Sequence, residues 1–271
     1  MVSPSLLVVA GRGEYPLELV RSARTQGVDR VVAIAFKGET RREIESICDE
    51  VVWLNVGHLG SFREAVPKFQ VAEAVMAGQI TPSNLFRARL DKPMLELLGR
   101  LPRKNADTIF GAVADELAGL GVTLLPAHRY LESCRVGEGI LTGRQPTDQD
   151  RADARQGMTL ATTCARLQAG QSVAIKEGTV IAVEGFEGTD EMIQRAGRLA
   201  GAGAVIVKAA QPDHDERWDI PLVGLTTLKS LRKARCRCLV LEADRVIMLE
   251  QERLIRDADA AGICVMAVEP E

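Results

Sequence analysis

Short apolar runs alternate with amphipathic segments along the first half of the sequence. The runs LLVVA, VVAIAF and VVWLN are rich in β-branched residues, and amphipathic stretches such as 16–26 and 61–69 separate them. Strands that alternate with helices predict a parallel sheet covered on its faces. The segments 71–80 and 107–120 predict a further strand and a further helix. We therefore expect residues 1–130 to form an N-terminal Rossmann-like α/β domain.

The pattern changes in the middle of the chain and then resumes. Residues 131–157 are rich in glycine, charged and polar residues and have little periodicity, which is typical of an inter-domain linker. Two short apolar runs then flank Glu177-Gly178, a dipeptide that favours a hairpin because glycine tolerates a positive φ. From Thr189 onward the alternation of strands and helices returns. The sequence thus predicts two α/β domains, the second a mixed α/β domain over residues 158–271.

Composition narrows the class of protein. The 271 residues exceed the usual size of one domain, and no apolar stretch approaches the roughly 18 residues that cross a bilayer. The start MVSPSLLVVAGRG lacks a basic region and a cleavage site, which predicts a cytoplasmic protein. A net charge of −3 with 4% aromatic residues argues against a nucleic-acid partner. The six cysteines are scattered and indicate neither a disulfide framework nor a zinc site.

Two loops after predicted strands carry the candidate ligand contacts of the N-terminal domain. Gly11 and Gly13 stand between a strand and a helix, where backbone N–H groups could face a phosphate, although a tight turn that needs glycine also explains them. A dinucleotide fingerprint would have a third glycine where Pro16 stands, so a nicotinamide or flavin site is disfavoured. Gln79, in AGQITPSN, is either a hydrogen-bonding contact for a sugar or nucleobase or an ordinary loop residue.

An acidic segment carries the most informative chemical signal. In KAAQPDHDERWDIPLVG, residues 208–224, four carboxylates follow an apolar strand and stand close to Lys208. Carboxylates at this density suit a hard divalent cation such as Mg²⁺, which bridges phosphate oxygens and activates water. A solvated charged face is the other interpretation. Trp218 and Ile220 flank Asp219 with apolar surface, so Asp219 is the best candidate for a fixed, partly desolvated position.

A second candidate group lies at a predicted helix start. The segment EGTDEM contains Glu187, Thr189 and Asp190, and Thr189 is a good N-cap for a helix whose dipole favours negative charge in the first turn. A capped helix without a catalytic role explains the same residues. Lys176, at the predicted hairpin tip, is either a charge partner for a ligand or a solvated turn residue.

Four motifs, in their order and spacing, resemble the LpxI-type UDP-2,3-diacylglucosamine pyrophosphatase family over nearly the whole chain. They are AGRGEYP, AGQITP, residues 170–197 and residues 208–228. The resemblance implies hydrolysis of UDP-2,3-diacylglucosamine to 2,3-diacylglucosamine 1-phosphate (lipid X) and UMP in lipid A biosynthesis. It also implies two domains that enclose the substrate and a divalent metal requirement. The competing hypotheses are a non-catalytic nucleotide-sugar or lipid carrier and an NAD-type oxidoreductase.

These considerations lead to a hypothesis for each site residue. We expect Asp219 to orient or deprotonate water, or to hold Mg²⁺ as Asp190 would, while Lys176 or Lys208 balances phosphoryl charge. The residues expected to contact substrate are Gly11, Gly13, Gln79, Glu187, Thr189 and Lys208. The expected substrate is a nucleotide-activated glycolipid, and the expected protein is a cytoplasmic homodimer with peripheral contact to the inner membrane.

Overall fold

The structure is a computed structural model, and it describes residues 4–80, 89–103, 105–212 and 215–269. The chain divides into two compact units. The first comprises Met1–Leu131 with Asp215–Asp219, and the second comprises Glu132–His214 with Ile220–Glu271. Within the described ranges, no helix has the length and apolar character needed to cross a membrane.

A five-stranded parallel sheet forms the centre of the first unit. Its strands are β1 (Ser5–Ala10), β2 (Arg30–Phe36), β3 (Glu50–Leu54), β4 (Glu73–Ala77) and β5 (Thr123–Leu124). They lie in the order β3-β2-β1-β4-β5, and the helices around them are α1 (Tyr15–Thr25), α2 (Leu59–Ala65), α3 (Lys92–Arg100) and α4 (Ala106–Gly119). The order reverses between β1 and β4, and open α/β sheets bind ligands at such a reversal, outside the carboxyl ends of the strands.

The central strands of this sheet are apolar throughout. Residues 6–10 of β1 and 31–35 of β2 are all buried, as expected of strands that are covered on both faces. On one face, Leu7 and Ile34 pack in a cluster with Phe62 of α2 and Leu117 of α4. The parallel sheet was predicted from the alternation of such apolar runs with amphipathic segments, and that prediction is confirmed.

A mixed six-stranded sheet forms the centre of the second unit. Its strands are β6 (Gly139–Ile140), β7 (Ser172–Lys176), β8 (Thr179–Val183), β9 (Val205–Lys208), β11 (Cys238–Glu242) and β13 (Cys264–Val268), in the order β6-β13-β11-β9-β7-β8. A separate parallel pair consists of β10 (Leu222–Val223) and β12 (Ile247–Met248). The helices are α5 (Asp148–Arg166), α6 (Thr189–Ala200), α7 (Leu225–Ala234) and α8 (Gln251–Ala260). The mixed α/β character predicted for this half is confirmed.

Strand direction brings the start of one strand beside the end of another. β9, β11 and β13 are parallel, whereas β7 runs antiparallel to β9, so Ser172 at the start of β7 is paired with Lys208 at the end of β9. β8 runs antiparallel to β7 and therefore ends at the same place. We call this the carboxyl edge of the second sheet, because β9, β11 and β13 all end there.

The predicted hairpin is present between β7 and β8. Glu177 has φ 50° and Gly178 has φ 74°, and two consecutive positive φ angles are what a tight two-residue hairpin turn requires. The backbone N–H groups of both residues donate to the carboxylate of Asp153, at 3.0 and 2.8 Å. Asp153 is fully buried, and it ties the hairpin to α5.

Residues 131–157, for which a linker was predicted, take a different form in the structure. They contain a short 3₁₀ helix, strand β6 and the first half of α5, and nearly all of them belong to the second unit. Thr147 and Asp150 form a capping box at the start of α5. Asp150 and Asp153 are both fully buried, and Arg237 makes ion pairs with them at 2.5 and 3.1 Å. Two of the acids in this polar segment therefore pair with an arginine inside the fold.

Candidate active site

A buried lysine and a threonine meet at the carboxyl edge of the second sheet. Lys208 is 6% exposed, and its Nζ donates a hydrogen bond to Thr189 Oγ1 at 2.9 Å. The Thr189 hydroxyl donates to Glu184 Oε1 at 3.1 Å and lies 3.2 Å from Ser172 Oγ. Burial makes an ammonium group costly to hold unless hydrogen bonds and negative charge compensate for lost water. The cluster of Lys208, Thr189, Glu184 and Ser172 therefore presents a positive charge in a partly dry site.

The same cluster stands at the first turn of helix α6. The N-cap residue is Gly188, with φ 85°, and no side chain caps this helix. Thr189 was predicted as the N-cap and is instead the first helical residue, and its hydroxyl contacts Lys208 and Glu184. An uncapped helix start carries the positive end of the helix dipole and favours an anionic ligand.

One carboxylate oxygen of the cluster has an unusual environment. Glu184 Oε1 accepts the Thr189 hydroxyl, whereas Oε2 is buried and has no hydrogen-bond partner within the described part of the chain. Buried acceptors of this kind are uncommon, and catalytic or ion-binding sites are among the places where they persist. Glu184 was not among the residues selected from the sequence. Its place, directly after an apolar strand and before a glycine-containing loop, is the signal that could have marked it.

Glu187 holds the loop that leads into α6. Its carboxylate is paired with Arg195, and Arg195 also donates to the carbonyl of Val183 at 2.8 Å. The Glu187 carboxylate accepts a further hydrogen bond from the N–H of Gly185 at 3.1 Å. The hydrogen bond from Arg195 lowers the pKa of Glu187 from its ordinary value of 4.5. Glu187 was predicted to contact substrate, and the structure shows its carboxylate bonded within its own loop.

The structure does not bring Lys176 to this cluster. Lys176 ends β7, which runs against β9, so it lies at the opposite edge of the sheet from Lys208. Its Nζ donates to the carbonyl of Ala200 at 2.8 Å, at the last residue of the helix that Thr189 begins. A lysine at the carboxyl end of a helix interacts favourably with the helix dipole, which gives Lys176 a structural explanation.

The segment that contains Asp219 is packed in the first unit. Asp219 is half-buried and donates its N–H to the carbonyl of Asp215 at 3.0 Å. Trp218 packs against the apolar cluster of that unit, and the guanidinium of Arg217 lies 4.6 Å from the centre of the Trp218 ring. Arg217 is also bonded to the Asp215 carboxylate at 2.6 Å. Trp218 was predicted to restrain Asp219. In the structure, the packing of Trp218 against the apolar cluster anchors the segment that contains both residues.

Backbone pairing explains the glycine loop after β1. The N–H of Gly11 donates to the carbonyl of Ala77 at 2.7 Å, and Arg12 forms an antiparallel bridge with Gln79. A Cβ atom at Gly11 would lie 2.6 Å from the carbonyl oxygen of Gln79, so only glycine fits there. The Gly11 N–H is therefore hydrogen-bonded within the fold. Gly13, with φ 101°, and the side chain of Gln79 are exposed at this loop.

An apolar pocket of about 90 Å³ opens beside the same loop in the first unit. It lies at the carboxyl ends of β1, β2 and β4, where the strand order favours ligand binding. Nearly all of its lining side chains are apolar, with His58 as the ionisable one. The lining residues are Val9, Phe36, Val56, Gly57, His58, Leu59, Phe62, Met76, Ile80, Met94, Ile109, Phe110 and Val113.

Carboxylates for a metal ion are few. Among the residues that the structure describes, no group of three or more His, Cys, Asp or Glu side chains is arranged to hold a metal ion. Mg²⁺ commonly uses one or two protein carboxylates and completes its shell with phosphate oxygens and water. In the second unit, the carboxylates available for that smaller requirement are Glu184, which contacts Thr189, and Asp190, which follows Thr189 in the sequence. Asp219 belongs to the other unit, so its pairing with Asp190 in a metal site stays a prediction.

Two sequence models of one family match successive parts of the chain. Residues 5–134 match the LpxI N-terminal domain, and residues 137–266 match the LpxI C-terminal domain. The chain belongs to the LpxI family. It is 27% identical over 277 residues to the UDP-2,3-diacylglucosamine pyrophosphatase LpxI of Caulobacter vibrioides, and the alignment covers 97% of each chain.

In this LpxI-family chain, three of the predicted residues come together and others do not. Thr189 and Lys208 are in direct contact, and Asp190 follows Thr189 in the first turn of α6. Ser172 and Glu184 complete the cluster and were missed by sequence reasoning, since strand pairing is what brings them to Thr189. Of the other predicted residues, Gly11, Gly13, Gln79 and Asp219 lie in the first unit, whereas Lys176 and Glu187 lie in the second unit and bond elsewhere in it.

Proposed function

We propose that the protein hydrolyses the pyrophosphate of UDP-2,3-diacylglucosamine and releases UMP and 2,3-diacylglucosamine 1-phosphate. Membership of the LpxI family supports the substrate class. The structural observation that carries the proposal is the buried ammonium of Lys208 at the start of α6, a helix that no side chain caps. Backbone N–H groups, the positive end of the helix dipole and a lysine together make a site suited to a phosphoryl group.

Lys208 has the charge and the environment for phosphoanhydride hydrolysis. This reaction needs positioning and electrostatic stabilisation more than covalent chemistry by the protein. A buried ammonium stabilises negative charge on phosphoryl oxygens more strongly than an exposed one, because the local dielectric is lower. The hydrogen bond to Thr189, which Glu184 orients in turn, fixes the direction of the Lys208 side chain.

We assign to Asp219 the task of orienting the attacking water and accepting its proton. A carboxylate does this best when its position is fixed before substrate binds. The backbone bond from Asp219 to Asp215 and the packing of Trp218 supply that fixation.

A divalent cation such as Mg²⁺, when bound, would neutralise charge on the pyrophosphate oxygens. Glu184 and Asp190 are the residues that would hold it in the second unit, because Glu184 contacts Thr189, Asp190 follows Thr189, and Glu184 Oε2 is a buried acceptor. Lys208 remains the protein's own positive charge at this place, so the phosphoryl group has a partner with or without the cation.

The apolar pocket of the first unit suits an acyl chain of the substrate. Its lining by aliphatic and aromatic side chains matches a flexible hydrocarbon. Burial of each methylene contributes about 0.8 kcal/mol to binding, so a single chain of ordinary length would contribute substantially. The first unit thus offers an apolar site for an acyl chain of a diacylated substrate.

The test is release of UMP from UDP-2,3-diacylglucosamine in detergent with Mg²⁺, followed by anion-exchange chromatography. We expect UMP from the wild-type protein, and a decrease of about 100-fold or more for Asp219→Asn because the general base is lost. Asp29→Asn, which changes an exposed aspartate of the same unit, is the matched control and should release UMP normally. Absence of UMP with the wild-type protein would overturn the proposed reaction, and normal release by Asp219→Asn would overturn the role of Asp219.

A further inference from the structure

The acidic turn, residues 215–219, is a single turn of chain that is closed on itself. The N–H groups of Trp218 and Asp219 donate to the carbonyl of Asp215 at 3.1 and 3.0 Å. The carboxylate of Asp215 also accepts the N–H of Arg217 at 3.0 Å. A turn closed by these bonds keeps its internal geometry. An attachment at one of its residues therefore also sets the position of the Asp219 backbone.

A connecting segment, residues 126–131, holds the acidic turn within the first unit. The N–H of Ala127 donates to the carbonyl of Glu216 at 2.8 Å. The next residue, His128, is buried, and its Nε2 atom lies 3.8 Å from Glu216 Oε2. Both segments belong to the first unit. The attachment thus reaches the acidic turn at its second residue, without passing through any other part of the chain.

Helix α1 holds the connecting segment in its place. The hydroxyl of Tyr15, at the start of α1, donates to the carbonyl of Ala127. At the other end of the helix, Ser22 Oγ and Gln26 Nε2 donate to the carbonyl of Tyr130 at 2.5 and 2.8 Å. These three side chains attach the connecting segment to α1 at two points.

Ala127 links the helix to the acidic turn through its two backbone groups. Its carbonyl accepts the Tyr15 hydroxyl, and its N–H holds Glu216. Ala127 is 1% exposed, so water cannot readily replace the tyrosine as a partner for this carbonyl. Burial raises the pKa of Tyr15 above its ordinary value of 10.0, so the hydroxyl keeps the proton that it donates.

We propose that Tyr15 is a positioning residue, which acts through Ala127 and Glu216 to fix the acidic turn, and with it Asp219, on the first unit. This inference rests on the proposed function, because it deepens the role given to Asp219. Tyr15 acts on the reaction only through the backbone of Ala127. It also gives the motif AGRGEYP a task that its glycines do not perform.

Tyr15→Phe is a clean variant for this test. It keeps the buried ring and removes only the hydroxyl that bonds the Ala127 carbonyl. Tyr130→Phe is the matched control, because it removes a hydroxyl from the connecting segment itself. The bonds from α1 to that residue are made to the Tyr130 carbonyl, which the control variant retains.

Trp218 makes the acidic turn directly observable by fluorescence. The chain contains two tryptophans, and Trp53, in β3, donates its indole N–H to Glu45 at an exposed position. Trp53→Phe leaves Trp218 as the sole tryptophan, packed against the apolar cluster of the first unit. In this background we expect Tyr15→Phe to increase quenching of Trp218 by acrylamide and to shift its emission to longer wavelength. Tyr130→Phe should change neither.

Amide hydrogen exchange and kinetics are measured with the same two variants in the wild-type background. We expect Tyr15→Phe to exchange about tenfold faster in residues 126–131 and 215–219, because a buried carbonyl loses its donor, with β2 unchanged. We expect kcat to fall about tenfold with KM within about threefold, since misplacement of a catalytic group affects the transition state. Tyr130→Phe should match the wild type in both measurements.

The two proposals can fail separately. Fluorescence and exchange of Tyr15→Phe at wild-type values would overturn the attachment, whether or not the protein hydrolyses substrate. Faster exchange in residues 215–219 with unchanged kcat would overturn the positioning role, as would an equal loss of kcat in Tyr130→Phe. A wild-type protein that releases no UMP would overturn the proposed function and with it the catalytic purpose of Tyr15, while the fluorescence comparison would still decide the attachment.

Discussion

Lys208 Nζ and Thr189 Oγ1 are 2.9 Å apart, although the two residues are 19 positions apart in sequence and belong to different elements. Lys208 closes a buried strand, and Thr189 opens a helix without a side-chain cap. The contact therefore joins a fixed positive charge to the positive end of a helix dipole. Each of these features favours an anion, and together they favour a phosphoryl group.

Replacement of Lys208 by methionine should remove most of the activity without unfolding the protein. Methionine keeps the unbranched shape of the side chain and removes the charge. The variant should therefore lose the electrostatic stabilisation of the phosphoryl oxygens. We expect kcat/KM to decrease about 100-fold or more, measured by initial rates of UMP release. Lys229→Met, at an exposed position of α7, is the control. Equal rates of UMP release for the two variants would show that Lys208 has no role in the reaction.

Thr189→Val tests whether the hydroxyl orients the lysine. Valine has nearly the same shape, but Lys208 and Glu184 would lose their shared hydrogen-bond partner. We expect kcat/KM to fall about tenfold, with Thr189→Ser retaining most of the activity because the hydroxyl is kept. Thr226→Val, at an exposed position of α7, controls for the loss of a surface hydroxyl. A fully active Thr189→Val would show that the contact has no catalytic value.

The fold could be predicted in most of its parts, because most of the longer strands are compact apolar runs and most of the helices have an apolar face. The helix Leu225–Ala234 and the hairpin turn at Glu177-Gly178 agree with the sequence pattern. The first half of α5 was taken as linker, since its buried acids look like surface charge until Arg237 is known to pair with them. Helix Lys92–Arg100 was also not predicted; none of its residues is fully buried, so its apolar face gives a weak signal.

The candidate site could be predicted only in part. Lys208 and Thr189 stand out because each begins or ends an element within a distinctive motif. Ser172 and Glu184 were missed because only antiparallel pairing of β7 with its neighbours brings them to Thr189. The same pairing carries Lys176 to the far edge of the sheet, which spacing along the chain does not reveal.

Asp153 should be important for stability and unimportant for catalysis. It is fully buried, accepts two backbone N–H groups of the hairpin turn, and pairs with Arg237 at 3.1 Å. Asp153→Ala would leave these donors without their acceptor, so we expect the free energy of unfolding to fall by about 3–5 kcal/mol in urea titrations. Asp148→Asn, exposed on the same helix, should change it by less than about 0.5 kcal/mol. A small effect of Asp153→Ala would show that the network contributes little.

The ion pair of Arg63 and Glu116 should make a pH-dependent contribution to stability. The two side chains are joined at 2.6 and 2.7 Å, and the hydrogen bonds from Arg63 lower the pKa of Glu116 from its ordinary value of 4.5. A carboxyl whose folded-state pKa is lowered stabilises the fold above its unfolded pKa, and this stabilisation is lost as the pH falls through the folded-state pKa. Thermal unfolding should therefore separate wild type from Glu116→Gln at pH 7, with a difference that shrinks below pH 4.5. A constant difference would contradict the assignment.

The most direct test of the account is ³¹P NMR of the purified protein with UDP-2,3-diacylglucosamine and Mg²⁺ in H₂¹⁸O-enriched buffer, beside Lys208→Met. The account predicts loss of the pyrophosphate resonances and appearance of UMP and a sugar 1-phosphate. One of these products should carry the ¹⁸O-shifted signal, and turnover should be slow in the variant. Saturable binding of the substrate with unchanged pyrophosphate resonances would contradict the account and would indicate a carrier instead.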